Sequence, residues 1–182
     1  MGNGFYPLIE SFGYQKLRVN CCDLSKTAIA LVQKHDLYNE EHVKAFQCDL
    51  VNDPIPFEPN TADFCLFLFV LSAISPDKHL AVMEKLSEQM KSGSVIYFRD
   101  YGRYDMAQLR FAKRGNQKLA DNFYVRHDKT RAYYFTLEEI EDLFKKVGFE
   151  VIENKYHYRM VENRKEEKRM YRVWIQSRMR KV

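Results

Sequence analysis

Residues 64–71 read FCLFLFVL, eight apolar residues without a break. A strand that is apolar on both faces belongs inside a parallel sheet with helices over each side. As a helix the run is too short to cross a bilayer. It sets an α/β fold class, because parallel partners need crossover helices between them. The flanking sequence supplies both: strands are expected at 17–22, 43–48, 62–71 and 94–101. Ser25 is the expected N-cap of a helix over 26–34, with Ala28, Ile29, Leu31 and Val32 on one face. Ser75-Pro76-Asp77 opens a helix over 78–90, and Ser92-Gly93 ends it. A short helix over 7–12 stops near Gly13, and Pro54, Pro56 and Pro59 mark 53–60 as a loop.

After residue 101 the pattern changes. A short helix is expected over 106–112 and a hairpin from 123–126 and 132–135 around Asp128-Lys129. Thr136 and Glu139 form a capping box for a helix ending near Gly148. Strands at 149–159 and 170–177 follow, with a solvated charged loop at 164–169 between them. The length, 182 residues, suits a single domain, with one half ending at 101 and the other spanning 102–182.

Apolar residues make up 46% of the chain and aromatics 14%, which excludes a disordered composition. The N-terminus lacks the basic and apolar regions of a secretory leader. Cys21, Cys22, Cys48 and Cys65 all fall in expected strands and form no CxxC pair, so buried reduced thiols are expected. That fits the cytoplasm, or the nucleus or mitochondrial matrix. No histidine cluster has metal-ligand spacing, and no metal is expected. His35, His42 and His79 are expected at the surface, His127 in the hairpin turn and His157 on a late strand. Residues 1–98 hold 8 Lys/Arg against 12 Asp/Glu, whereas residues 99–182 hold 21 against 13. A basic half suits a polyanion such as RNA, the alternative being a merely solvated surface.

Two acids, Asp23 and Asp49, sit at expected strand ends, where open α/β sheets bind ligands. Asp23 lies twenty-one residues after Gly2, about the spacing at which an acid reaches ribose hydroxyls in nucleotide-binding βαβ units. Asp49, one strand further on, suits an adenine amino group. Either acid alone reads equally as a cap or turn residue. Gly2 and Gly4 give a GxG turn that lets backbone approach a ligand, a weak signal taken alone.

Six segments together carry a resemblance: CCDLSKTAIALVQ (21–33), CDL (48–50), FLFVLSAISPDK (67–78), FRDYGRYDMAQLRF (98–111), NFYVRHDKTRAYYFT (122–136) and MYRVWIQS (170–177). In this order they resemble the S-adenosylmethionine-dependent tRNA N3-methylcytidine methyltransferases, and within them the branch acting on threonine and arginine tRNAs. The resemblance implies a Rossmann-like class I methyltransferase sheet, mostly parallel, with an antiparallel C-terminal strand pair. It assigns Asp23 to the cofactor ribose, Asp49 and Leu50 to the adenine, and Leu68 to the wall beside the methionine end. Gly2-Asn3 matches the end of the family's GCGxGN motif, so the first strand and the N-terminal RNA-contacting helices are expected to lie outside this sequence. Loss of that central strand would leave backbone groups of both neighbours unpaired, at about 1–3 kcal/mol each.

The implied reaction places a methyl group on N3 of a cytidine in a tRNA anticodon loop. N3 carries an in-plane lone pair and needs no strong base, but the target has to be unpaired or flipped out. Asp100 is the candidate carboxylate for the cationic product, with Arg99 and Tyr101 beside it, and Phe69 or Tyr101 is the candidate stacking ring. For Asp100 an ion pair with Arg99 or Arg103 is the structural alternative. Arg103, Arg110, Lys113, Arg114, Arg126 and Arg131 are candidate phosphate contacts. Implied partners are tRNA and an aminoacyl-tRNA synthetase or other helper, with no membrane. The competing functions are a non-catalytic RNA-binding or partner subunit that has lost its cofactor, and a methyltransferase acting on a small molecule or protein.

Overall fold

Strand and helix alternate along the first half of the chain as the apolar pattern requires. The computed structural model describes residues 2–163 and 168–182. The chain divides into two units, Met1–Glu58 and Pro59–Val182.

The first unit runs α1 (Tyr6–Phe12), β1 (Val19–Asp23), α2 (Lys26–Gln33) and β2 (Val43–Gln47). Gly13 stops α1, and the Ser25 hydroxyl caps α2 by accepting from the Ala28 N–H at 3.2 Å. β1 and β2 pair in parallel, with Asp23 opposite Gln47. Tyr6, Ile9, Val32 and Val43 form the core of the unit. The Tyr6 hydroxyl donates to the Val32 carbonyl at 2.6 Å, and its ring stacks on His35 at 3.9 Å. Gly2 has φ +77°, and a Cβ there would lie 2.3 Å from the Tyr6 ring. The glycine is therefore demanded by the close packing of Tyr6, not by open space reserved for a ligand.

The second unit opens with β3 (Ala62–Leu68), two 3₁₀ turns at Leu71–Ala73 and Pro76–Lys78, α3 (His79–Gln89) and β4 (Met90–Tyr101). It continues with α4 (Met106–Arg114), β5 (Lys118–Ala120), β6 (Phe123–Val125), β7 (Arg131–Tyr133), α5 (Leu137–Lys146), β8 (Phe149–Asn163) and β9 (Lys168–Lys181). The main sheet has the order β3-β4-β9-β8, with β3 and β4 parallel and β9 antiparallel to both of its neighbours. β5, β6 and β7 form a separate antiparallel sheet. Phe98, Phe135, Ile140, Phe144, Ile175 and Met179 are buried on the face that α5 covers. β1 and β3 are each edge strands of their sheets.

Several expectations are corrected. β3 ends at Leu68, because Phe69 turns to φ +56° and the chain enters the first 3₁₀ turn. Phe64 and Leu68 are exposed, so β3 is not covered along both faces. Ser92-Gly93 lies inside β4, where Gly93 at φ +80° fits the register shift between Ala62 and Phe64. β5 was not foreseen, Cys48 falls one residue past β2, and β8 and β9 each run several residues beyond their expected ends. His79 is buried, its Nε2 3.1 Å from the Ile74 carbonyl and its ring against Phe135. Residues 164–167 of the charged loop lie outside the described residues.

One carboxylate ties the second unit together. Asp105 is fully buried and caps α4 through Oδ1, which accepts from the Ala107 N–H at 2.8 Å. Its Oδ2 accepts from the Arg172 Nε at 2.8 Å and the Val173 N–H at 2.9 Å on β9. β4 passes this junction too, since the Gly102 N–H donates to the Val173 carbonyl at 2.9 Å. An Asp105→Asn exchange turns an acceptor into a donor against these groups and removes the counter-charge of Arg172. It is expected to cost about 3 kcal/mol, read as a lower urea midpoint at unchanged slope.

Candidate functional site

In the first unit the parallel register delivers two acids to one edge. The Cys48 N–H donates to the Asp23 carbonyl at 3.0 Å, so Asp49 follows directly beside the end of β1. Asp23 is exposed, and one carboxylate oxygen accepts from the Ser25 N–H at 2.8 Å. Its other oxygen faces no donor among the described residues, which fits a carboxylate that receives a ligand hydroxyl. Asp49 organises its own turn: Oδ1 accepts from the Val51 N–H at 2.9 Å and Oδ2 from the Asn52 side chain at 2.7 Å. Leu50 is half-buried in that turn, and Asn3 is exposed beside Gly2. Burial pushes the Cys22 thiol up to about 12, with the neighbouring Cys48 adding to it, so Cys22 is an inert neutral thiol.

In the second unit a ring cluster forms where β3 and β4 end. Phe69 stands 5.1 Å from Tyr101 and 5.7 Å from Trp174, between ring centroids. Its left-handed backbone is strained for an aromatic residue and is held by the Phe69 N–H donating to the Arg99 carbonyl at 2.7 Å. Phe69 remains 37% exposed, enough to offer a face to a planar ligand. The Arg126 guanidinium lies 4.8 Å from the Tyr101 ring centre and that of Arg172 lies 5.5 Å away. Each such contact contributes about 0.5–2 kcal/mol, and a base stacked on a ring about 1–3 kcal/mol. Leu68 and Arg99 belong to the opposite face of the sheet from Asp100, where they line a groove of about 440 Å³ with Tyr97, Gln176 and Arg178. Arg99 is hydrogen-bonded there to Gln176.

Asp100 is placed differently from its expected role. It is fully buried, and its oxygens accept from the Ser72 N–H and the Tyr101 N–H, each at 2.9 Å. It forms no ion pair with Arg99 or Arg103, and it holds the 3₁₀ turn after Phe69 instead of facing solvent. Arg103 is also committed, to Glu139 at 2.6 Å and to the Tyr134 carbonyl at 2.7 Å. Arg110, Lys113, Arg114 and Arg131 are exposed, the first three on α4. Arg172 and Trp174 went unforeseen as site residues because a strand reading gives them no chemistry until β9 is paired with β4. Asp105 had a signal, an N-cap residue directly before Met106. Among the described residues no group of three or more His, Cys, Asp or Glu is placed to hold a metal ion.

Comparison with known proteins agrees with this layout. Residues 2–154 match a family model described as a methyltransferase domain. The chain belongs to that methyltransferase-domain family. It is 46% identical over 182 residues to the chicken (Gallus gallus) tRNA N(3)-cytidine methyltransferase METTL2, covering 99% of this chain and 49% of that protein. It is 44% identical to O-methyltransferase 3 of Dictyostelium discoideum, covering 99% of this chain and 41% of that protein. The chain thus spans about half the length of the curated relatives it matches. A SAM-dependent methyltransferase from Methanosarcina mazei shares the fold at TM-score 0.71 and 15% identity, over 98% of this chain and 88% of the other. One from Anabaena variabilis does so at TM-score 0.68 and 15% identity, over 96% and 71%. The sheet of this methyltransferase domain, parallel with an antiparallel C-terminal pair, is the one expected from the sequence. No helix among the described residues is long and apolar enough to cross a membrane.

The buried Asp100 gives a pH signature. Desolvation, partly offset by the Ser72 contacts, raises its pKa from 3.8 to about 6. The folded state then binds a proton that the unfolded chain has released, so this contribution is present below pH 4 and is lost as pH rises to about 6. Urea titrations of the wild type and of Asp100→Asn should give a stability difference that moves against the wild type by roughly 3 kcal/mol between pH 4 and pH 7. It should be level above that.

Proposed function

We propose that the chain is the methyltransferase portion of an S-adenosylmethionine-dependent enzyme that methylates N3 of a cytidine in a tRNA anticodon loop. The observation that carries this reading is the delivery of Asp23 and Asp49 to one edge by the parallel pair β1 and β2. The substrate class is supported by the 46% identity to a protein named for that reaction. Asp23 would take the cofactor ribose through its open oxygen, with Asp49 and Leu50 beside the adenine. The cofactor supplies an electrophilic methyl group. The residues of the chain align the base and exclude water, because cytosine N3 needs no general base.

In the second unit Phe69 is the exposed ring available to an unpaired cytosine, and Tyr101 backs it. Asp100 acts through the backbone that positions Phe69 and Tyr101, a supporting role in place of direct contact with the base. Arg110, Lys113, Arg114 and Arg131 supply exposed charge for the RNA backbone. The proposal includes a cytoplasmic setting, consistent with four cysteines that form no disulfide, and a helper such as an aminoacyl-tRNA synthetase. A second reading, an RNA-binding subunit without cofactor, is favoured by the Tyr6 ring that fills the space beneath Gly2.

Calorimetric titration with S-adenosylhomocysteine separates the two. Saturable binding that weakens about tenfold in Asp23→Ala supports the enzyme, and no binding by the wild-type chain supports the subunit. Affinity for an anticodon stem-loop RNA should fall steeply with salt, and replacing Arg110, Lys113 and Arg114 together by Gln should flatten that dependence.

A further inference from the structure

The guanidiniums near Tyr101 differ in how they are matched. Arg172 is paired to the fully buried Asp105 at 2.8 Å and is largely shielded. Arg126 is half-buried on the turn after β6, 4.8 Å from the same ring, and pairs with no carboxylate within ion-pair distance among the described residues. Asp100 and Asp128 are both near enough for the Arg126 charge to favour their ionised forms, but the Asp100 oxygens accept from backbone amides and Asp128 accepts from Thr130. A half-buried cation in no ion pair, over a ring that itself packs on the exposed Phe69, suits an anion attached to a planar group.

We propose that Arg126 binds the phosphate of the same pyrimidine nucleotide whose base stacks on Phe69, while Arg172, pinned by Asp105, is a positioning residue that fixes the Tyr101 ring. This rests on the nucleic-acid reading of the second unit and divides the labour within it. The exposed lysine and arginines of α4 meet the RNA backbone in general, whereas Arg126 recognises one nucleotide. The phosphate contact is a charge-assisted hydrogen bond, and the ring contact orients the guanidinium toward it.

The chain contains one tryptophan, Trp174, and it packs against Phe69, so its fluorescence reports on this site without any need for turnover. The 182-residue chain is titrated with cytidine 5′-monophosphate and with cytidine. The wild type should bind the monophosphate at least tenfold more tightly. Arg126→Gln should abolish that preference by weakening the monophosphate alone, and Arg126→Lys should keep most of it. Arg172→Gln should weaken both ligands alike. An Arg126→Gln protein that retains the preference, or that loses both ligands equally at an unchanged melting temperature, overturns the assignment and leaves the nucleotide site standing. If Arg126→Gln fails to fold, loss of the preference in Arg126→Lys overturns it. A wild type whose fluorescence responds to neither ligand nor to an anticodon stem-loop RNA overturns the assignment together with the RNA reading.

Discussion

The second unit is organised around a charge that water never reaches. Asp105 is fully buried, and an isolated carboxylate in that position would be heavily penalised. Three donors from two elements converge on it: the first turn of α4, the β9 backbone and the Arg172 side chain. Such a carboxylate is stable only when all its partners are present, so it links helix start and strand register in an all-or-none way. The ring cluster at the end of β4 depends on that register. Tyr101 lies opposite Trp174, and Arg172 reaches the Tyr101 ring from two residues further along β9.

Much of this was legible from the chain itself. The caps at Ser25 and Thr136 and the stops at Gly13 and Gly148 encode local structure through short-range chemistry, and the helices formed where those signals lie. What could not be read depended on pairing partners distant in sequence. Gly93 looks like a helix stop, yet the helix ends earlier and the glycine serves a bulge in β4, because Met90 already pairs with Ala62. Asp100 looks like a strand-end acid on an open rim. The pleat of β4 instead turns it to the same side as Phe98 and Ile175, beneath the Ser72 turn. Arg103 looks like a phosphate contact until α5 brings Glu139 to it. In each case the deciding partner lies far away in sequence: Ala62, Ser72 and Glu139 respectively.

The two units make different kinds of contribution. In the first, ordinary βαβ geometry presents Asp23 with an oxygen still free to accept, and the surrounding thiols are held neutral by burial. In the second, strain at Phe69 and unequal matching of arginines concentrate unsatisfied capacity at one place. Unsatisfied capacity in an otherwise well-paired structure is where ligands gain most, since little existing interaction has to be given up.

The hairpin of β8 and β9 carries one more implication. The two strands pair from Phe149 opposite Lys181 to Asn163 opposite Lys168, but β4 accompanies β9 only from Trp174 to Arg180. Gly102 and Asp105 still hold Val173 and Arg172, and beyond Arg172 the hairpin extends as a two-stranded ribbon with Tyr158 and Tyr171 exposed. Held by Asp105 and 5.5 Å from the Tyr101 ring centre, Arg172 joins the base of the ribbon to the ring beside Phe69.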